Sequence, residues 1–151
     1  MTLRIVFVCS GNICRSPIAA GFARDKLARR GIPAAVLSCG TLGIVGQPAA
    51  LQGQAAMREI GIDISEHYSQ GVQPAMLELA DWVVVMGPNH EAVLLDRLPG
   101  IADKLVRMWE YADEAIPHIA DPVGKDVAAF RTCRDLLDRC MENWIDSLAE
   151  E

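Results

Sequence analysis

A short apolar run, Leu3 to Val8, ends on Cys9, and within a few residues the pattern changes from strand to helix. The run is continuous and rich in β-branched residues, as a strand buried on both faces would be. Ile18 and Phe22, with Ala19, Ala23 and Leu27, then recur at helical spacing, and Lys26, Arg29 and Arg30 crowd the last turn before Gly31. The alternation repeats down the chain. Ala34 to Ser38 reads as a second strand, and Pro48 to Ile60 as a helix with Leu51/Ala55 and Ala56/Ile60 paired at i,i+4 before Gly61. Trp82 to Met86 is the clearest strand. Asn89 to Leu98 is helical and stops at Pro99-Gly100, and Lys104 to Trp109 is a fourth strand. The stretch from Glu110 to about Gly124 has no periodicity. Phe130, Cys133, Leu137, Cys140, Trp144 and Leu148 then form the stripe of a long amphipathic helix. Strands alternating with helices predict an α/β fold of three layers, a four-stranded parallel sheet with helices on both faces. Such sheets bind ligands beyond the carboxyl ends of their strands, which is where Cys9 falls.

The 151 residues suit a single domain spanning 1–151. Half the residues are apolar (51%) and 23% are charged, a soluble globular balance. A net charge of −6 argues against a nucleic-acid partner, which usually meets a basic stripe, yet leaves room for a locally positive anion site. No apolar run approaches the ~20 residues of a bilayer span, and MTLRIVFV is too soon interrupted for a signal peptide. Cysteines at 9, 14, 39, 133 and 140 are odd in number and irregular in spacing, so a disulfide framework is not expected and a reducing cytoplasm is.

The loop Cys9-Ser10-Gly11-Asn12-Ile13-Cys14-Arg15-Ser16 feeds directly into a helix. Ser16 suits an N-cap and Pro17 the first helical turn. Gly11 and Asn12 tolerate the positive φ that a tight loop demands. Backbone N–H groups turned inward by such a loop form an anion nest, and the helix dipole adds positive charge at the same point. Arg15 supplies a planar fork matched to two oxygens of a phosphate. These surroundings favour a thiolate over a thiol, and a Ser16 hydroxyl could donate a further hydrogen bond to sulfur. A cysteine at a strand end is often only a small buried hydrophobe, and Gly-Asn often only a turn. The conjunction Cys-x5-Arg-Ser-Pro, after a strand and opening a helix, points to a nucleophile for phosphorus. Cys9 and Cys14 lack the further pair that a zinc site requires, and the Lys-Ser/Thr of a nucleotide P-loop is missing.

Phosphoryl transfer to sulfur expels an alkoxide or phenoxide, and a carboxylic acid within reach would protonate it. Asp113, Glu114 and Asp121 lie in the aperiodic stretch. Asp121 is the best placed, extended before Pro122 and followed by Gly124, where the loop can bend. On position alone it would read as a turn aspartate. The Cys9 loop's need for an acid selects it.

"VCSGNICRSP", "LSCGT" at Leu37 to Thr41 and "ADP" at Ala120 to Pro122 resemble the low-molecular-weight protein tyrosine phosphatases, and the likeness in length and element order covers nearly the whole chain. The resemblance implies that Cys9 attacks phosphorus to form a phosphocysteine. Asp121 would protonate the leaving oxygen and then activate water, while Arg15 and the loop amides bind the phosphoryl oxygens. It implies no metal and no cofactor. Asn12, Ser16, Ser38 and His67 match positions that brace the loop, although His67 in "ISEHYS" reads equally as a surface histidine. The chain departs from the family at Cys39, usually alanine, and at Gln70 and Gly87, often arginine and an acidic residue. Many members flank the pocket with aromatic rings. Here Ile13, Leu42, Ile44 and Val123 offer aliphatic walls.

The resemblance is to the bacterial branch that acts on tyrosine kinases of exopolysaccharide and capsule synthesis, so the expected partner is a phosphotyrosine protein, with no nucleic acid and no membrane. The sequence does not fix an oligomeric state. Protein-arginine phosphatases are similar too but carry threonine where Ile13 stands. A non-catalytic phosphopeptide-binding module would need no acid, and related arsenate reductases place cysteines in a loop that here, "VVVMGPNHEAVLL", has none. Cys14 either packs under the loop or captures an oxidised Cys9 as a disulfide.

Overall fold

A computed structural model describes residues 1–150. Four strands form one parallel sheet: β1 (Leu3–Cys9), β2 (Ala34–Gly40), β3 (Trp82–Val85) and β4 (Leu105–Arg107). Their spatial order is β2-β1-β3-β4. The chain runs outward from β1 in both directions, which opens a crevice at the carboxyl ends of β1 and β3. Five helices cover the sheet: α1 (Arg15–Arg29), α2 (Leu51–Arg58), α3 (Pro74–Leu79), α4 (Pro88–Arg97) and α5 (Val127–Ala149). The expected three-layer α/β architecture is the one observed.

Alternation along β1 divides the core. Ile5, Phe7 and Cys9 face a layer made by α1, α2 and α5, where Phe7 meets Trp144 edge to face at 6.3 Å. Val6 and Val8 face the opposite layer, with Leu77 of α3 and Leu94 of α4. The stripe expected on the last helix is buried as expected at Phe130, Cys133, Leu137, Cys140 and Trp144.

Several local expectations are corrected. The helix expected over Pro48 to Ile60 is shorter, and it buries Gly53, Ala56 and Met57 while Leu51 stays exposed. Gly53 lies on the buried face, where a Cβ would stand 3.3 Å from the Phe130 ring, so the missing side chain lets the helix approach α5 closely. The fourth strand is only three residues, Leu105–Arg107, and gives way to a 3-10 turn at Met108–Tyr111. Helix α3 was not expected at all.

Candidate active site

Helix α1 begins at Arg15, two residues earlier than a Ser16 N-cap would allow, and Cys14 holds the cap position without a side-chain hydrogen bond. Ser16 is therefore inside the first turn, and its hydroxyl is free for other work. Positive φ falls on Asn12, at 59°, and not on Gly11. Only local hydrogen bonding makes that left-handed conformation tolerable for a residue with a side chain. Asn12 is fully buried and its side chain is tied at both polar atoms: Nδ2 donates to Ser16 Oγ (2.7 Å) and Ser38 Oγ (2.9 Å), and Oδ1 accepts from the Gln70 amide (3.0 Å). Its carbonyl accepts from His67 Nε2 at 2.7 Å, which fixes that nitrogen as the protonated one. Burial holds His67 below the ordinary histidine range.

Ser16 Oγ lies 3.0 Å from Cys9 Sγ. Since Asn12 Nδ2 already fills one lone pair of that oxygen, the hydroxyl proton is free to point at sulfur. A hydrogen bond donated to sulfur stabilises negative charge on it. Strand β2 completes the cradle from below. A Cβ at Gly40 would lie 2.5 Å from the Ser10 carbonyl and 2.9 Å from the Asn12 amide, so only glycine lets β2 pass this close. Thr41 and Leu42 donate backbone N–H groups to the Cys9 and Ser10 carbonyls, each at 3.0 Å.

Arg15 is almost wholly buried, and its guanidinium is held asymmetrically. Nη1 donates to the Ile119 carbonyl at 3.0 Å. Nη2 meets Ser10 Oγ and Asp121 Oδ2 at 3.3 Å each. Nε is buried and has no partner among the described residues. Nε and Nη2 share one edge of the guanidinium, so the group presents a loosely engaged fork at Ser10, the residue after Cys9. A buried orphan donor is costly, and an oxyanion would satisfy it.

Asp121 stands one-third exposed at the end of this fork. The Val123 amide donates to its Oδ1 at 3.1 Å, an Asx turn that turns its other oxygen toward Arg15. The loop is anchored where the Ile119 amide meets the Met86 carbonyl, at the end of β3. Behind it is a cavity of about 260 Å³ bounded by Asp121, Pro122, Lys125, Thr132 and Cys133.

Ile13 and Ile44 come together over Gly11, each 3.7 Å from where its Cβ would be. Leu42, whose amide bonds the Ser10 carbonyl, and Val123, two residues after Asp121, are well exposed. Cys14 and Cys133 are buried thiols, both pushed up to about 12, chiefly by desolvation. No group of three or more His, Cys, Asp or Glu side chains able to hold a metal ion occurs among the described residues.

Two participants escaped the sequence reading. His90, in the first turn of α4, reaches across the crevice to place Nε2 2.9 Å from Ser10 Oγ. Gln70, singled out only as a departure from arginine, donates Nε2 to the Ser38 carbonyl at 3.0 Å while its backbone holds Asn12. No spacing rule links either to the loop, because each arrives from a different crossover.

The model of the family described as low molecular weight phosphotyrosine protein phosphatase matches residues 4–151. A protein-arginine-phosphatase of Geobacillus stearothermophilus is 32% identical, over 100% of this chain and 97% of that protein. A probable low molecular weight protein-tyrosine-phosphatase EpsP of Ralstonia nicotianae is 32% identical, over 96% of this chain and 95% of the other. Among solved structures, a cysteine-to-serine variant of the arginine phosphatase YwlE with a phosphorylated active-site serine superimposes with a TM-score of 0.92 at 26% identity, covering 99% of this chain and 97% of that one. The chain belongs to the low molecular weight phosphotyrosine protein phosphatase family.

Proposed function

We propose that this protein is a phosphatase that hydrolyses phosphotyrosine monoesters on proteins through a phosphocysteine at Cys9. The observation that carries the reading is the Arg15 fork: Nη1 is anchored on Ile119 and Nη2 on Ser10, the residue next to Cys9, while the buried Nε has no partner among the described residues. A phosphoryl group bound there takes Nε and Nη2 with two of its oxygens, and the loop amides take the rest. Cys9 Sγ attacks phosphorus, and the tyrosine oxygen departs with a proton from Asp121. Asp121, now a carboxylate, takes a proton from the water that cleaves the sulfur–phosphorus bond, and Cys9 is regenerated. Before substrate arrives Asp121 Oδ2 rests on Arg15 Nη2. The incoming phosphate claims that donor and leaves the carboxyl beside the leaving oxygen.

Phosphoarginine is the second reading, favoured by the full-length similarity to a protein-arginine-phosphatase. The apolar pair Ile13 and Ile44 over the loop favours an aromatic ring over a guanidino group. Steady-state assays on phosphotyrosine, phosphoserine and phosphoarginine peptides decide the matter, with Cys9→Ser as the inactive control. A higher kcat/KM for phosphoarginine would reverse the choice. Turnover by Cys9→Ser would remove the covalent route.

The partner we infer is a phosphotyrosine protein, a bacterial tyrosine kinase among the candidates. The five free cysteines fit a reducing cytoplasm, and no helix among the described residues is long and apolar enough to cross a membrane. Residues 1–151 act as one domain in this reading. We also infer that Cys14 captures an oxidised Cys9 as a disulfide, a role supported by its place five residues on in the same curled loop.

A further inference from the structure

Catalysis as described above leaves one geometric problem. Arg15 Nη2 has two contacts, Ser10 Oγ and Asp121 Oδ2. Asp121 must give up its contact to protonate the leaving group. From then on the Nη2 end of the fork is held to the protein by Ser10 alone, and a serine hydroxyl turns freely unless something fixes it.

His90 is placed to fix it. It is fully buried, it projects from the first turn of α4, and its Nε2 is 2.9 Å from Ser10 Oγ. Its Nδ1 is buried and has no partner among the described residues. Two neutral tautomers are open to the ring. If Ser10 donated to a bare Nε2, Nδ1 would be a buried N–H with no acceptor. If Nε2–H donates to Ser10, Nδ1 is a buried lone pair with no donor, the cheaper of the two defects. An imidazolium would carry the orphan N–H as well and would face the Arg15 charge. Burial and Arg15 push His90 down to about 4, with Asp121 opposing, so the ring is neutral at working pH. The charged groups acting on the ring are Arg15 and Asp121, and the exposed His118 lies near Gly87 at the start of α4, its Cβ 3.6 Å from where a Gly87 Cβ would stand.

We propose that His90 is a positioning residue for the reaction: as the Nε2–H tautomer it donates to Ser10 Oγ, and the hydroxyl so held keeps the Arg15 fork aligned for the phosphoryl oxygens once Asp121 has left it. Both lone pairs of Ser10 are then occupied, one by His90 Nε2–H and one by Arg15 Nη2–H. The serine proton is left free to serve an oxyanion or water at the pocket. The inference rests on the phosphatase reading of the Cys9 loop.

The test combines kinetics with a measurement on the resting protein. His90→Met should lower kcat/KM for p-nitrophenyl phosphate and weaken competitive inhibition by inorganic phosphate, each by about tenfold, the scale of one hydrogen bond to a charged partner. His90→Gln, which keeps a donor at the same reach, should recover to within about threefold of wild type. Ser10→Ala should cost as much as His90→Met, and the double variant no more than either alone. Two-dimensional ¹H–¹⁵N spectra of the wild-type ring should report the Nε2–H tautomer at pH 7. Unchanged phosphate affinity in His90→Met, additive losses in the double variant, or an Nδ1–H tautomer would each overturn the proposal. The spectrum decides even if His90→Met fails to fold. A wild-type protein without phosphatase activity would instead count against the functional reading, leaving the tautomer result to stand by itself.

Discussion

Asn12 Nδ2 donates to Ser16 Oγ at 2.7 Å, and that contact decides what Ser16 can do for Cys9. With one lone pair filled from behind, the serine hydroxyl is aimed at the thiol 3.0 Å away. Backbone strain and side-chain bonding at Asn12 can be separated by two substitutions. Asn12→Gly relieves the φ of 59° but deletes the amide. Its kcat should fall by about 10–100-fold, as the loss of two or three hydrogen bonds predicts. Asn12→Ala loses the same bonds and adds left-handed strain of about 1–2 kcal/mol, lowering Tm by a further 2–8 °C or so. Alkylation of Cys9 by iodoacetate at pH 7 should slow in both. Full activity in Asn12→Gly would show that the amide only supports the turn.

Asp121 and the leaving group form the next test. Asp121→Asn should slow phenyl phosphate by about 10²–10⁴-fold, the range of a lost general acid. It should slow p-nitrophenyl phosphate far less, because nitrophenolate leaves without a proton. Steady-state kcat on the two esters measures the difference. Equal losses would assign the acid to another carboxylate and leave Asp121 as an Arg15 partner only.

Much of this site was legible in the chain because it is local. Cys9 through Ser16 are contiguous, and a strand end, a left-handed residue, a guanidinium and a helix start are each written in residue type. For Ser16 the expected bond to sulfur is present but the expected cap is not: serine before proline looks like a cap, whereas the helix takes its first turn from Arg15 and turns the hydroxyl onto sulfur. His90 and Gln70 were invisible because they act through tertiary hydrogen bonds from distant crossovers. The parallel sheet followed from alternation, whereas α3 did not, since a six-residue helix offers less than two turns of periodicity.

Oxidation probes Cys14. A sulfenic acid on Cys9 condenses with the Cys14 thiol to give a disulfide and water. That thiol is pushed up to about 12 by burial, with Asp121 and Cys9 adding to the shift and Arg15 opposing it, so little of it is thiolate near neutrality. Ring closure after a peroxide pulse should therefore accelerate between pH 7 and 9. Cys14→Ser should keep its activity yet lose most of its recovery by dithiothreitol. Peptide mass spectrometry of the oxidised wild type reads the outcome. Sulfinic or sulfonic Cys9 beside a free Cys14 thiol would make Cys14 a packing residue.

Acid stability should have two steps with different owners. His90 is held down to about 4 in the folded protein, below the histidine value of 6.5. Its neutral form therefore stabilises the fold above pH 6.5, and that contribution is lost as pH falls from 6.5 to about 4. Glu59 clamps α2 to α5 through Arg131 (2.7 Å) and Arg134 (2.8 Å), which lowers its carboxyl from 4.5 to about 2. Its contribution is present above pH 4.5 and disappears as pH falls through about 2. Urea denaturation across pH should show His90→Gln flattening the upper step. Glu59→Gln should modestly lower stability at pH 7, and the deficit should shrink as pH falls from 4.5 to about 2. A deficit as large at pH 2 as at pH 7 would mean the carboxylate charge is not what holds the clamp.

The missing side chain at Gly40 has a consequence for how the protein comes into being. Ser10 and Asn12 rest directly on the backbone of β2, and Cys9 pairs in register with Gly40. The anion cradle therefore has no floor until β2 has returned along the whole of α1 and zipped onto β1. A chain still emerging from the ribosome, with only its first strand and helix made, carries Cys9, the nucleophile in our proposal, without the cradle around it. The cradle is assembled only when the central pairing is complete, so a molecule able to bind an oxyanion there is, at its centre, already folded.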